Sequence, residues 1–241
     1  RVLENLSWIP DGQNNKKFIY IVSAPWCPIC KQLYINTRQI NQSVQLRWLM
    51  TGPEDSNSAA KNRTLSFFRD PKLLDDVYTG KNISITTDKI AEIIDTANVV
   101  SLELLKKAFN ARAGKSLGFP KLVFYTKEGW VALTGLPKDL YEVVNQVVEK
   151  PSLNENDPVS FSISSEIKKI TDASKQNYSS KHSISLYALP TTDSLKLASL
   201  PSGLALHGLK TVQLKNGKQW VYFQLFSNGM GGWSQLSELI K

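Results

Sequence analysis

Apolar and polar positions follow two periods in the first fifty residues, and the change of period falls at a single place. Phe18-Ile19-Tyr20-Ile21-Val22-Ser23-Ala24 is a β-branched and aromatic run, the pattern of a buried strand. Pro25-Trp26-Cys27 then turns the chain, and Pro28 stands where a first helical residue belongs, a position that tolerates proline because its missing N–H would be unpaired anyway. From Ile29 the spacing becomes helical, with Ile29, Leu33 and Ile40 expected on one face, and a second strand is predicted over 44–50. The start of the chain therefore predicts a strand–helix–strand unit.

Residues 57–110 have a helical pattern in two or three pieces: about 57–69, 71–80 and 88–109, the last interrupted near Asn98. A strand is predicted over 121–126, with Glu128-Gly129 turning it into a partner at 130–134. A last amphipathic helix over about 138–149 sets Leu140, Val143, Val144 and Val147 on one side. The texture changes at Pro151. Residues 151–160 are polar and bracketed by prolines, 161–182 are rich in Ser and Lys, and 151–182 is read as a linker region. After Ser183 short apolar runs alternate with turn signals every eight to twelve residues, which predicts a small barrel of about five strands over 183–241.

Composition narrows the function classes. The net charge of +8 is spread out, with basic runs no longer than the pairs Lys16-Lys17, Lys106-Lys107 and Lys168-Lys169, so it reads as solvated surface and not as a nucleic-acid footprint. No apolar run approaches the roughly eighteen residues a membrane helix needs. The chain has two cysteines, Cys27 and Cys30, spaced Cys-x-x-Cys. There is no second pair to complete a thiolate zinc site, and His182 and His207 lie far away, so no metal or other cofactor is expected. A disulfide between them would close a loop too short to restrain the unfolded chain much, which leaves redox chemistry as the main reading.

That reading has a physical basis. A cysteine at a helix N-terminus faces unpaired N–H groups and the positive end of the macrodipole. Thiols so placed titrate at roughly 3.5–7, below the ordinary ~8.5. The thiolate attacks a disulfide sulfur to give a mixed disulfide, which a second thiol resolves. Cys27 is assigned as nucleophile and Cys30, one turn along, as resolving thiol. Trp26 is a candidate rim for the substrate site; Trp8, Trp48 and Trp130 are expected in the core, and Tyr34 on the helix surface or in the core.

Ala24-Pro25-Trp26-Cys27-Pro28-Ile29-Cys30-Lys31-Gln32 resembles the active-site segment of periplasmic Dsb proteins, nearest the DsbC/DsbG branch. The resemblance extends over about 4–149: the lead-in ending at Asp11-Gly12, the Val44-Gln45-Leu46-Arg47 segment, the helical insertion (about 53–112), Asp75-Asp76-Val77-Tyr78-Thr79-Gly80-Lys81, Phe119-Pro120 and Gly135-Leu136-Pro137. It implies an α/β thioredoxin-like domain over 1–150, with Pro120 cis beside the cysteines and the Phe119 backbone open to a substrate peptide. It further implies a periplasmic enzyme with its signal peptide removed, acting on protein thiols and disulfides as a reductase or isomerase. A membrane redox partner of DsbD or DsbB type goes with that reading.

Three departures qualify it. That branch has threonine before the proline where Phe119 stands, which predicts a more apolar groove. Only about 17 residues precede the first predicted strand, too few for the branch's dimerisation domain, so a monomer is expected and isomerase activity is weakened. The aspartate that thioredoxins bury beneath the pair is replaced by Ile21. A DsbA-like thiol oxidase is the alternative on redox direction.

Residues 184–241 resemble a bacterial SH3-like domain through Ile184-Ser185-Leu186-Tyr187, Leu200-Pro201-Ser202-Gly203, Gln219-Trp220-Val221-Tyr222-Phe223 and Gly232-Trp233-Ser234-Gln235. The implied ligand is a cell-wall component or a protein. A non-catalytic adaptor working through this module is the reading from a different functional class. Trp220 or Trp233 is expected in its core, and His207 on a surface strand.

Overall fold

The computed structural model describes residues 2–13, 16–52, 55–113, 118–150, 158–180, 182–225 and 231–240. The elements are α1 (Val2–Asn5), β1 (Ile9–Asp11), β2 (Phe18–Ser23), α2 (Pro28–Thr37), β3 (Gln45–Met50), α3 (Ser56–Phe68), α4 (Pro71–Tyr78), α5 (Lys89–Ala113), β4 (Lys121–Thr126), β5 (Gly129–Thr134), α6 (Leu140–Gln146), α7 (Val159–Glu166), β6 (Ile167–Ser180), β7 (Ile184–Tyr187), β8 (Lys196–Leu200), β9 (Ala205–Leu214), β10 (Gln219–Gln224), β11 (Gly231–Gln235) and β12 (Leu239–Ile240).

β2 and β3 run parallel, joined by α2, and β2 pairs antiparallel with β4, which forms a hairpin with β5. The sheet order β1-β3-β2-β4-β5 contains the strand–helix–strand and hairpin–helix halves of a thioredoxin-like fold. Every residue of β2 and β3 is buried because both sheet faces are covered. On one face Ile19, Ile21, Trp48 and Phe124 pack with Leu33, Tyr34, Tyr78 and Val143 of the helices. On the other, Phe18, Tyr20 and Val22 pack with Leu3, Leu6, Trp8 and Leu102. Arg47 lies fully buried on this second face, with its guanidinium 3.9 Å from the Phe18 ring centre and 4.4 Å from that of Trp8.

Several expectations change here. The three-residue β1, which pairs antiparallel with β3, was not foreseen. α5 passes unbroken through Asn98, whose buried amide accepts from Ser7 N at 2.8 Å and donates to Ser66 Oγ at 3.3 Å, so the residue read as a break ties three segments together. Ile29 is 49% exposed and does not share the buried face of Leu33 and Ile40. Trp130 is not in the core. It alternates outward on the edge strand β5, 46% exposed, with Tyr125 edge-on at 5.4 Å and the Lys150 ammonium 4.7 Å above it.

Of the region read as a linker, 151–157 lie outside the described residues, while 159–166 form a helix and 167–180 a long strand. β6 pairs with β9 along most of its length and with β12 at its end, giving a sheet of order β12-β6-β9-β10-β11-β7-β8. Among the described residues no pairing joins β8 to β12, so the expected small barrel is an open seven-stranded sheet. The Asn228–Met230 part of its expected Gly-rich turn lies outside the described residues. Trp220 and Trp233 are both buried, and His207 is exposed, bonded to Asn177 at 2.9 Å. Ile93 and Ala97 of α5 join the core of this second sheet, and Lys210 reaches Glu92 at 2.8 Å.

Gly12 is the tightest point of the first unit. Its φ is +103°, and an added Cβ would lie 2.2 Å from the Asn41 carbonyl oxygen and 2.7 Å from that of Val44. Gly12→Ala is expected to cost about 2–4 kcal/mol from backbone strain and overpacking. Gly80, with φ +86° and nothing within 4 Å of an added Cβ, is the matched control: Gly80→Ala should cost clearly less in the same denaturant titration.

Candidate active site

The site begins where β2 ends. Its last residue, Ser23, and the following Ala24 are both fully buried. Cys27 N donates to the Ala24 carbonyl at 3.2 Å, which folds Pro25-Trp26 into the turn that delivers Cys27 to the helix start. Cys27 is the N-cap of α2, in an extended conformation, with Pro28 at the first helical position. Its sulfur accepts from Cys30 N at 3.3 Å, the bond a serine or aspartate cap would ordinarily make. The sequence thus places a sulfur where helix N–H groups point.

The two thiols differ in access. Cys27 is 7% exposed, whereas Cys30 is 0% exposed. Burial pushes the Cys30 thiol up to about 12, helped by the hydrogen bond it shares with Cys27; hydrogen bonds from the Ser23 hydroxyl and the Ala24 N–H oppose this. A less enclosed sulfur capping the helix and a protonated, fully buried one a turn below suit nucleophile and resolving thiol.

The opposite wall comes from the segment entering β4. The Phe119–Pro120 peptide bond is cis, and the Phe119 carbonyl oxygen lies 3.9 Å from Cys27 Sγ. Pro120 is buried, and its carbonyl accepts from Gly135 N at 2.8 Å. The Phe119 ring lies over Gly52, where a Cβ would come within 2.9 Å of it. Trp26, 40% exposed, meets Phe119 edge-to-face at 6.3 Å, and its indole N–H donates to the Gly52 carbonyl. Behind Phe119 lies a mostly apolar cavity of about 200 Å³ walled by Val22, Leu102 and Leu105. All five residues singled out from the sequence, Trp26, Cys27, Cys30, Phe119 and Pro120, therefore converge on one cleft.

Three contributors were not singled out. Gly52 is the platform for both aromatic rings. Ser23 and Tyr78 lie beneath Cys30, and their hydroxyls hydrogen-bond to each other. Tyr78 falls in a segment quoted for its family resemblance without a chemical role, and only the packing of α4 against β2 reveals one. Ile21, in the place of the thioredoxin aspartate, is an apolar core residue. Among the described residues no three His, Cys, Asp or Glu side chains form a metal-holding group, and no helix is long and apolar enough to cross a membrane.

Fold and cleft together define a thioredoxin-like domain carrying an enclosed dithiol at a helix N-terminus. No protein-family profile and no curated protein matches the chain. Among solved structures it is similar to a disulfide interchange protein from Neisseria gonorrhoeae, at 21% identity over 60% of this chain and 97% of that one, with a TM-score of 0.41. It is also similar to a periplasmic thioredoxin-like protein from Salmonella enterica serovar Typhimurium, at 19% identity over 57% and 87%, with a TM-score of 0.40.

Proposed function

We propose that this chain is a thiol–disulfide oxidoreductase acting on proteins of the bacterial envelope, with Cys27 as nucleophile and Cys30 as resolving thiol. The observation that carries the reading is the position of Cys27: a helix N-cap sulfur accepting a backbone N–H, with the Phe119 carbonyl across the cleft. In the reducing direction the Cys27 thiolate attacks a substrate disulfide and one substrate sulfur leaves. Cys30 then attacks Cys27, and the second substrate sulfur leaves. Trp26 and Phe119 supply an apolar rim for the chain flanking that disulfide, and the Phe119 backbone pairs with it.

The resemblance of the Ala24–Gln32 segment to the DsbC/DsbG branch supports reductase or isomerase use, a periplasmic location and a membrane redox partner. The part of the second sheet that carries the SH3-like sequence pattern (183–241), together with β6 that pairs with it, is taken to hold a cell-wall or protein ligand and to position the redox domain (1–150) on its clients. The test is reduction of a protein disulfide with glutathione as electron source. Catalysis lost in Cys27→Ala supports the enzyme. A cellular role that survives replacing both cysteines with alanine would show that the chain works as an adaptor instead.

A further inference from the structure

A buried thiol that must act as a thiolate needs a donor for its charge, and burying an unpaired charge is costly. Cys30 has no carboxylate beneath it, since Ile21 occupies that strand position. What the structure places there is Ser23, at the end of β2, bonded to Tyr78, at the end of α4. The Ser23 hydroxyl also favours the Cys30 thiolate as a hydrogen-bond donor, opposing the rise that burial causes. Ser23 has a single proton to give. If it goes to Cys30, the bond between the two hydroxyls must come from Tyr78.

Tyr78 is held for that task. It is buried, its ring stacks on Tyr34 with centres 4.8 Å apart, and Trp48 lies tilted against it at 5.8 Å. Tyr34 in turn donates to Asp75 Oδ1 at 3.0 Å, one turn before Tyr78 on α4. The inserted helix is thereby locked against α2, and the Tyr78 hydroxyl is aimed under the dithiol.

We propose that Ser23 and Tyr78 form a two-hydroxyl relay, Tyr78 donating to Ser23 and Ser23 to Cys30, that positions and stabilises the Cys30 thiolate during resolution. The proposal rests on the thiol–disulfide reading above. In the step it serves, the Cys30–Cys27 bond forms as the Cys27–substrate sulfur bond breaks. The cysteines are oxidised by two electrons and the substrate disulfide is reduced. The proton Cys30 gave up goes through solvent to the departing substrate sulfur. The titratable groups facing Cys30 are Cys27 on α2 and Tyr78 on α4, with Tyr34 and Asp75 behind Tyr78. Ser23 and Tyr78 are positioning residues, since neither touches substrate.

Two measurements test the relay separately from the enzyme reading. In a Cys27→Ala background, thiolate absorbance titrates Cys30 directly, without any turnover. Ser23→Ala and Tyr78→Phe should each move that titration alkaline, by about one unit for Ser23→Ala, and Ser23→Thr should restore it. With Cys27 present, stopped-flow on a small disulfide gives the ratio of resolution to first attack. At neutral pH that ratio should fall about tenfold in Ser23→Ala, the factor one unit of displaced titration carries. An unmoved Cys30 titration in both hydroxyl variants overturns the relay, whatever the activity shows. A displaced titration in a protein whose Cys27 never attacks a disulfide upholds the hydrogen-bond chain and overturns the enzyme reading instead.

Discussion

Cys27→Ala should reduce disulfide exchange to the uncatalysed rate, while Cys30→Ala should accumulate a mixed disulfide on Cys27 that the unaltered protein resolves too fast to collect. The two variants differ because the structure divides the labour. Cys27 caps the helix and is the less enclosed of the two cysteines, and the hydrogen bond its sulfur accepts comes from the backbone N–H of Cys30, which alanine retains. Cys30→Ala therefore keeps the cap geometry and removes only the second attack. Denaturing gels run without reductant should show trapped species that collapse when a small thiol is added. The same division predicts a pH dependence. The Cys30 thiol is pushed up to about 12, chiefly by burial. Once Cys27 is tied up in a mixed disulfide its own contribution disappears, but burial persists. Below its pKa the thiolate fraction of Cys30 grows about tenfold per pH unit, so resolution should accelerate with rising pH across the neutral range. A resolution rate that falls as pH rises would contradict this.

Trp48→Ala is expected to be the most damaging core change, costing about 3–5 kcal/mol. Trp48 is fully buried at the centre of β3, its indole N–H donates to Asp11 Oδ2 at 3.1 Å, and its ring contacts both Tyr34 and Tyr78. Removing it opens a large cavity between the sheet and two helices. Asp11, which also pairs with Arg38, loses a donor while remaining buried. A drop of about 10 °C in the first melting transition checks the prediction, at roughly 2–4 °C per kcal/mol for a chain of this size. Because the cavity lies against Tyr78, the variant should also slow resolution.

The core around the cysteine pair was legible because local chemistry and global fold agree there. The buried run of β2, the proline after Cys27 and the helical spacing after it each demand the conformation that the sheet also imposes. The β4–β5 hairpin was legible for the same reason, as Glu128-Gly129 is a turn in any context. The cis state of Pro120 was reached only through family resemblance, since nothing in Gly118-Phe119-Pro120 demands it. Elements fixed by long-range pairing stayed hidden. β6 is polar and rich in Ser and Lys because much of it faces solvent, so its strand character comes from β9, whose partners run from Ala205 opposite Ser179 to Leu214 opposite Ile167. Trp130 shows that an aromatic on an edge strand follows the pleat outward rather than its own hydrophobicity. Ser23 and Tyr78 are unremarkable letters until the fold brings them together, 55 positions apart.

The central claim is that Cys27 and Cys30 are one reversible dithiol. Equilibrating the protein against glutathione buffers of graded poise, then counting free thiols by mass spectrometry, measures this directly. A single two-electron transition is expected, in which both thiols disappear together, with a midpoint well below about −120 mV, the value that marks strong oxidants. A midpoint near that value would make the dithiol an oxidant, and two thiols that stay reduced at every poise would rule out a reversible Cys27–Cys30 pair.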